Sequence, residues 1–267
     1  MKQAYAHECV DKCSENQHIR WRMHGVRGFL IFLVGTATLS AWDDEPRGAI
    51  EVGYATGVLR DGVERARAGV YSRADFAQNG WRGALALHEP FRGAEPRIVQ
   101  LSAAHEWRVG EEFSIGVTAE HFRQEQAPLN SLRHATRVGA LVQWQPLGGW
   151  ATELSYQRDL RLRANVSEIR LARSFALTRL GAFLEWNAFA GWLDAADARP
   201  AAPGVAIRDS FGYAGMAARL PYRVGERTLI VVAAELATTT GQATFWSPLG
   251  HRPHTRATVQ FAITFEL

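Results

Sequence analysis

Arginines and carboxylates recur at alternate positions through much of this 267-residue chain, and this spacing is its principal chemistry. Residues two apart on an extended strand share a face. On that parity Arg65, Arg67, Arg82, Arg137, Arg170, Arg219 and Arg256 point the same way as Glu51, Glu106, Glu120, Glu153, Asp159, Glu168, Glu185 and Glu235. Charges of near-balanced sign on one side of a sheet can face water, or they can pair and close an interior. Arg65, Arg67 and Arg82 fall on neighbouring strands and could form a basic ladder that guides anions. Internal ion pairing is the alternative for the same residues. Other constellations are thinner. His251 and His254 sit at i, i+3 without a nearby carboxylate, so no metal site is expected of them. Asp194, Asp197 and Asp209 fit no ordered calcium loop. Gly148-Gly149 reads as a turn, since no strand–loop–helix unit surrounds it. No cofactor is expected.

The elements that position these charges are strands. From residue 48 the chain breaks into period-two segments of about ten residues, about twelve in all. They run Gly48–Leu59, Val63–Arg73, Gly80–His88, Arg97–Trp107, Glu112–Phe122, Ala135–Gln145, Gly149–Asp159, Ser167–Phe175, Leu180–Leu193, Ser210–Tyr222, Arg227–Thr238 and Thr255–Leu267. Val138, Val142 and Trp144 oppose Arg137, Gln143 and Gln145, and Leu184 and Trp186 oppose Glu185 and Asn187. The segment from Arg227 is apolar on both faces and alternates least. Links alternate in length: short at Ala77–Asn79, Val109–Glu111, Pro146–Gly148, Thr178–Arg179 and Arg223–Glu226, longer at Glu89–Pro96, Arg123–His134, Leu160–Val166, Asp194–Asp209 and Gly241–His254. Such sorting is expected of a transmembrane barrel with short periplasmic turns and longer outer loops. The first link, Arg60–Gly62, breaks the rule by being short where a long one is due. Aromatics gather near strand ends, at Trp81, Trp107, Trp144, Trp150, Trp186, Trp192 and Tyr222, where an interfacial girdle would place them.

Both ends of the chain bear on its address. Gly28–Thr38 is an apolar run preceded by Arg20, Arg22 and Arg27 and followed by small residues, the pattern of a secretory signal peptide. It is shorter than the roughly 20 residues a membrane helix needs. The expected division is a leader over residues 1–41, with cleavage after Ala41 or alternatively Ala37, and a barrel over residues 42–267. Residues 1–22 read as an extension ahead of a more natural start at Met23. Both cysteines, Cys9 and Cys13, fall in the leader, so their spacing has no metal or redox meaning for the mature chain. The leader also holds five of the 30 Lys+Arg and three of the 27 Asp+Glu residues, so the formal charge of +3 falls to about +1. That argues against a nucleic-acid partner. At the other end Val259, Phe261, Ile263, Phe265 and Leu267 alternate with Thr258, Gln260, Ala262, Thr264 and Glu266 up to the last position. Phe261, Ile263, Phe265 and Leu267 are expected to face lipid and to serve as the signal read by the barrel assembly machinery. No apolar run after residue 41 is long enough for a membrane helix, so an exported chain that enters lipid must close as a barrel. The expected fold is all-β: a transmembrane, antiparallel, up-and-down β-barrel in the bacterial outer membrane, in contact with its lipid.

Gly53-Tyr54-Ala55-Thr56-Gly57-Val58-Leu59-Arg60, followed by Asp61-Gly62, resembles the opening strand of the TorF-type porin family. In that family the strand reaches an arginine-glycine pair, which Asp61 interrupts here. Gly69-Val70-Tyr71 through Gly80-Trp81-Arg82-Gly83-Ala84-Leu85 is similar to the hairpin that follows. The likeness spans about residues 50–90 and implies a porin-like barrel; it carries over no site residues. Outer-membrane phospholipases bear a histidine-x-serine-asparagine-glycine signature. The nearest stretch here, His134-Ala135-Thr136-Arg137, lacks the serine and the asparagine, and neither Ser155 nor Ser174 has a histidine at a suggestive spacing. An enzyme is not expected. The leading reading is a channel for passive diffusion of small hydrophilic solutes. The alternatives are a structural or adhesive barrel with a plugged lumen and, behind it, a barrel lipid hydrolase.

Overall fold

The computed structural model describes residues 46–92, 95–125, 134–146, 149–195, 210–240 and 255–267. These residues form a closed antiparallel barrel of twelve strands. The strands are β1 (Arg47–Arg60), β2 (Val63–Gln78), β3 (Trp81–Pro90), β4 (Ile98–Arg108), β5 (Phe113–Gln124), β6 (His134–Trp144), β7 (Trp150–Asp159), β8 (Asn165–Leu177), β9 (Ala182–Asp194), β10 (Ser210–Arg223), β11 (Thr228–Thr239) and β12 (Arg256–Glu266). Each pairs with its neighbours in sequence, and β12 returns to β1 through the register Ala49↔Glu266 to Ala55↔Gln260. Closure satisfies every ladder and leaves no sheet edge, which a chain in lipid requires. One 3₁₀ turn, Thr178–Leu180, links β8 to β9, so β9 begins two residues later than the sequence pattern suggests. Strand β2 also runs on to Gln78, because Asp75 and Ala77 continue its inward face.

The alternation seen in the sequence separates two environments. Val138, Val142 and Trp144 are exposed on the outside of β6, while Arg137 and Gln143 are buried within. Large apolar side chains are exposed on strands all around the barrel, from Ile50 and Val52 through Leu101, Ile115, Leu154 and Ile169 to Ile230, Phe261 and Ile263. A continuous apolar girdle of that extent is unfavourable in water and favourable in hydrocarbon. Exposed aromatics concentrate at the end bearing the short turns, at Phe76, Trp81, Trp107, Phe113, Trp144 and Tyr222. The Trp144 indole donates there to Glu112 at 3.1 Å, as an interfacial residue with one dry and one wet edge should. In β11 the apolar inward face has a local reason: Leu229 and Val231 pack with Ala262 and with Tyr71 across the interior.

The short first link is the departure that matters. Asp61 (φ 51°) and Gly62 (φ 70°) make a two-residue turn of the type that Asp-Gly favours, and Asn79 (φ 49°) with Gly80 (φ 80°) repeats it at the other end. A β-bulge breaks the β1–β2 register beside Val58/Leu59, where Arg65 is skipped between Ala66 and Glu64. A bulge bends the strand that carries it. Beyond it the hairpin tip turns into the barrel: Leu59 and Val63 are buried against Leu162, Val166, Phe189, Leu193, Phe211, Tyr213 and Ala237.

Candidate functional site

Twelve strands about 4.8 Å apart and tilted by roughly 40° enclose a backbone cylinder about 24 Å across. Side chains from opposite walls do not fill that width at the outer end, and the β1–β2 hairpin occupies it. Its tip touches distant strands at once. Arg137 on β6 donates from both terminal guanidinium nitrogens, Nη1 and Nη2, to Asp61, at 2.9 and 2.6 Å. Arg60 pairs with Glu120 on β5 at 2.8 Å, with its guanidinium 4.2 Å from the Phe122 ring centre. Gln124 donates to the Arg65 carbonyl at 3.0 Å. On the far side Gly62 lies so near β10 that a Cβ placed on it would sit 2.7 Å from the Tyr213 Cβ. Asp61 is surrounded by Arg137, Arg60 and Arg65. Burial works against its charge, but these arginines outweigh it and hold its carboxyl well below the usual carboxylate range.

Below the hairpin the inward charges are also paired. Glu51 accepts from Arg219 at 3.0 Å, from Tyr71 at 2.7 Å and from Thr264 at 2.8 Å. Arg219, which ties β10 to β1 through Glu51, also reaches Glu185 on β9 at 3.2 Å. Arg82 pairs closely with Glu106, and Gln143 donates to Glu153 at 2.7 Å. Arg170 pairs with Glu168 at 3.0 Å, and Tyr213 donates to the same carboxylate at 2.8 Å. Asp159 accepts the backbone N–H groups of Arg161 and Leu162, both at 2.9 Å. Between the tiers lies a small cavity of about 20 Å³, room for about one water molecule, lined by Glu51, Tyr71, Arg73, His88, Gln100 and Gln260 together with Ala55, Val58, Ala86, Leu87 and Ile98.

The sequence-expected inward residues therefore share one lumen, with exceptions at the rim. Arg67 is half-exposed beside Glu95, and Arg256 is similarly placed beside Glu64. Glu235 is partly buried on the inward face. The basic ladder is not formed. Arg65 belongs to the hairpin cluster, Arg67 to the rim, and Arg82 lies near the short-turn end opposite Ala77, each with an acidic partner. The ion-paired alternative is the arrangement found. The sequence reading missed Arg60, Asp61, Tyr71, Tyr213 and the Arg73–Asp75 pair. For the hairpin a signal was present: apolar Val58, Leu59 and Val63 flank a turn that an outer loop would make polar. Of the metal candidates, Asp194 accepts from Ser210, while Asp197, Asp209, His251 and His254 lie outside the described residues. Among those described no cluster could hold a metal ion. His134 and Thr136 stand on the barrel's outer face, with His121 Nδ1 3.0 Å from the Thr136 hydroxyl.

No protein-family model matches the sequence, and no curated protein matches it. Solved structures do match in fold. The NanC porin aligns with a TM-score of 0.51 and 12% identity, over 82% of this chain and 100% of that one. The KdgM porin in complex with disordered oligogalacturonate aligns at 0.49 with 8% identity, over 81% and 98%. The translocator domain of the autotransporter NalP from Neisseria meningitidis aligns at 0.49 with 14% identity, over 97% of both chains. At such identity the likeness is one of fold alone: a closed antiparallel β-barrel like that of the NanC porin.

Proposed function

We propose that this protein is an outer-membrane channel for small hydrophilic solutes, held closed in the described conformation by its first hairpin. The observation that carries the reading is the contact of Asp61 with Arg137 across the lumen. A barrel built only to be solid could fill its interior with apolar side chains, as the residues around Leu59 do locally. Here the wall beneath the hairpin is lined by charged and amide groups, which suit a path that becomes wet when the hairpin leaves. The apolar outer face and the aromatic end support an outer-membrane address with the short turns in the periplasm. No catalytic role is assigned to any lumen residue.

A specific observation favours a second reading. The charges of the inner tiers are paired and buried, as a permanently plugged structural or adhesive barrel would have them. Solute uptake separates the two. Proteoliposomes containing the refolded protein should swell in small sugars or amino acids when Leu59 and Val63 are changed to serine, and much less when they are intact. Equal impermeability of both, with the β-sheet signal intact, would leave the plugged barrel standing.

A further inference from the structure

Three arginines at the outer rim stand apart from the paired charges of the lumen. Arg158 is the last outward-facing residue of β7, one strand step above the lipid-exposed Tyr156 and Leu154. Arg161 and Arg163 are exposed in the turn that follows. None of the three has an ion pair or hydrogen bond through its guanidinium among the described residues. The turn is a built one. Asp159 accepts its two N–H groups from inside the barrel, and Leu162 is buried against the hairpin cluster, which leaves Arg161 and Arg163 (φ 54°) exposed at the rim. Leu160, also exposed, is fixed by its N–H to the Thr136 carbonyl at 2.8 Å.

Neighbouring strands extend this face. Arg158 is opposite Val138 on β6 and Asn165 on β8, and Asn165 accepts from the Tyr156 hydroxyl at 2.8 Å. Two residues higher, Thr136 is opposite His121, and above them His134 is opposite Arg123. From strand spacing and rise, Arg158 and His121 are about 12 Å apart at their Cα atoms. Long side chains can close much of that gap. Among the described residues Glu125, paired with Arg123, and Asp194, opposite Asn165 and bonded to Ser210, are acidic groups at this rim. Further round the rim, β9, β10 and β11 present Trp192, Ser210 and Thr238 outward.

An arginine facing hydrocarbon is costly at the bilayer centre and tolerated at the interface, where its planar fork binds phosphate bidentately. Arginines without a partner among the described residues, above a Leu154–Tyr156 apolar surface, thus match an amphiphile with acyl chains below and phosphates above. We infer that the rim formed by Arg158, Arg161 and Arg163 binds the phosphate groups of an outer-leaflet glycolipid. The inference rests on the outer-membrane reading with the short turns inward, and it adds a fixed lipid partner to it.

The test uses the refolded full-length protein in detergent, titrated with bisphosphorylated lipid A, dephosphorylated lipid A and phosphatidylglycerol, and read by native mass spectrometry. Wild type should prefer bisphosphorylated lipid A by about ten-fold or more over both others, equivalent to one decade in dissociation constant. The R158Q/R161Q/R163Q variant should lose that preference, and R161Q, confined to the turn, should lose part of it. A matching change at the short-turn end, R223Q, should leave it intact. Equal binding by wild type and the triple variant, with unchanged heat-modifiable gel migration, would overturn the inference. So would phosphatidylglycerol binding as tightly as lipid A, which marks general anion attraction. Binding in detergent is independent of conduction, so failure here leaves the channel reading untouched, and a silent channel leaves this result readable.

Discussion

Replacing Asp61 by alanine removes the one carboxylate that meets Arg137, Arg65 and Arg60 together. Arg137 then stays inside the barrel with its strongest partner gone, its side chain only 5% exposed. Breaking a buried pair from one side costs roughly 3–5 kcal/mol. Glu120 and Asp159 remain near Arg137, so the lower figure is the better guide. A loss of roughly 3 kcal/mol from the closed state moves the open-to-closed ratio by about 100-fold. The apolar contacts persist: burying Leu59 and Val63 contributes roughly 1.5–3 kcal/mol each, so the hairpin of the variant opens more often without leaving permanently. Cysteine labelling reads this directly. Thr258 is buried on the inward face of β12, with its methyl group beside Gly57 of the hairpin strand. With Cys9 and Cys13 replaced, T258C reports alone, and its modification by a charged thiol reagent tracks the open fraction. D61A should speed labelling by about two decades, and the double change D61L/R137M, which removes the Arg137 charge but still takes Asp61 from Arg65 and Arg60, should recover part of the protection. Equal rates in wild type and D61A would refute the argument that this ion pair holds the hairpin.

Acid should release the same latch. Because the folded-state carboxyl of Asp61 lies below its ordinary value, its contribution is complete above about pH 4 and is lost as pH falls through the lowered value. T258C labelling, divided by that of a fully exposed cysteine at the same pH to remove the fall in thiolate, should stay low from neutral pH down to about 4 and rise below it, whereas D61N is already high and responds less; an onset near neutrality would contradict this. On the barrel surface, V142R should cost about 2–4 kcal/mol in unfolding from liposomes if Val142 faces mid-bilayer lipid, while Q143R, on the polar inner face, should be milder; equal losses would disprove the assignment of faces. At the last strand Phe261, Ile263, Phe265 and Leu267 are all exposed outward. If they are read during insertion, F265D should fall sharply in outer-membrane fractions while Q260D stays near wild type; equal levels would remove that role.

The barrel was legible because its physics is periodic. Lipid on one side and a polar interior on the other impose alternation, and Val138, Val142 and Trp144 against Arg137 and Gln143 record it in sequence. Strand ends were legible where turn chemistry is strong, as at Asn79-Gly80. The hairpin latch was not, because a bulge shifts the parity that made the rest readable. The alternation that puts Glu51 and Ala55 inside fails at Val58, Leu59 and Arg60, all of them buried. The partners of its charges are also remote. Asp61 and Arg137 are 76 positions apart, and Glu51 and Arg219 are 168 apart. Alternation assigns a side chain to the lumen but not to a partner across it, so Arg65, Arg67 and Arg82 looked like a ladder when listing by strand placed them side by side. Their heights along the barrel, set by register, separate them.

The central claim is that a conducting path exists beneath the hairpin and that the hairpin closes it. Planar-bilayer recording of the refolded protein tests it most directly, with wild type compared with the release variant L59S/D61N/V63S. The account predicts long closed periods with rare openings for wild type, and for the variant frequent openings of the same unitary conductance, since the path below is unchanged. Silence from the variant, with its barrel folded and inserted, would contradict it, because the lumen would then be closed by its own ion-paired walls.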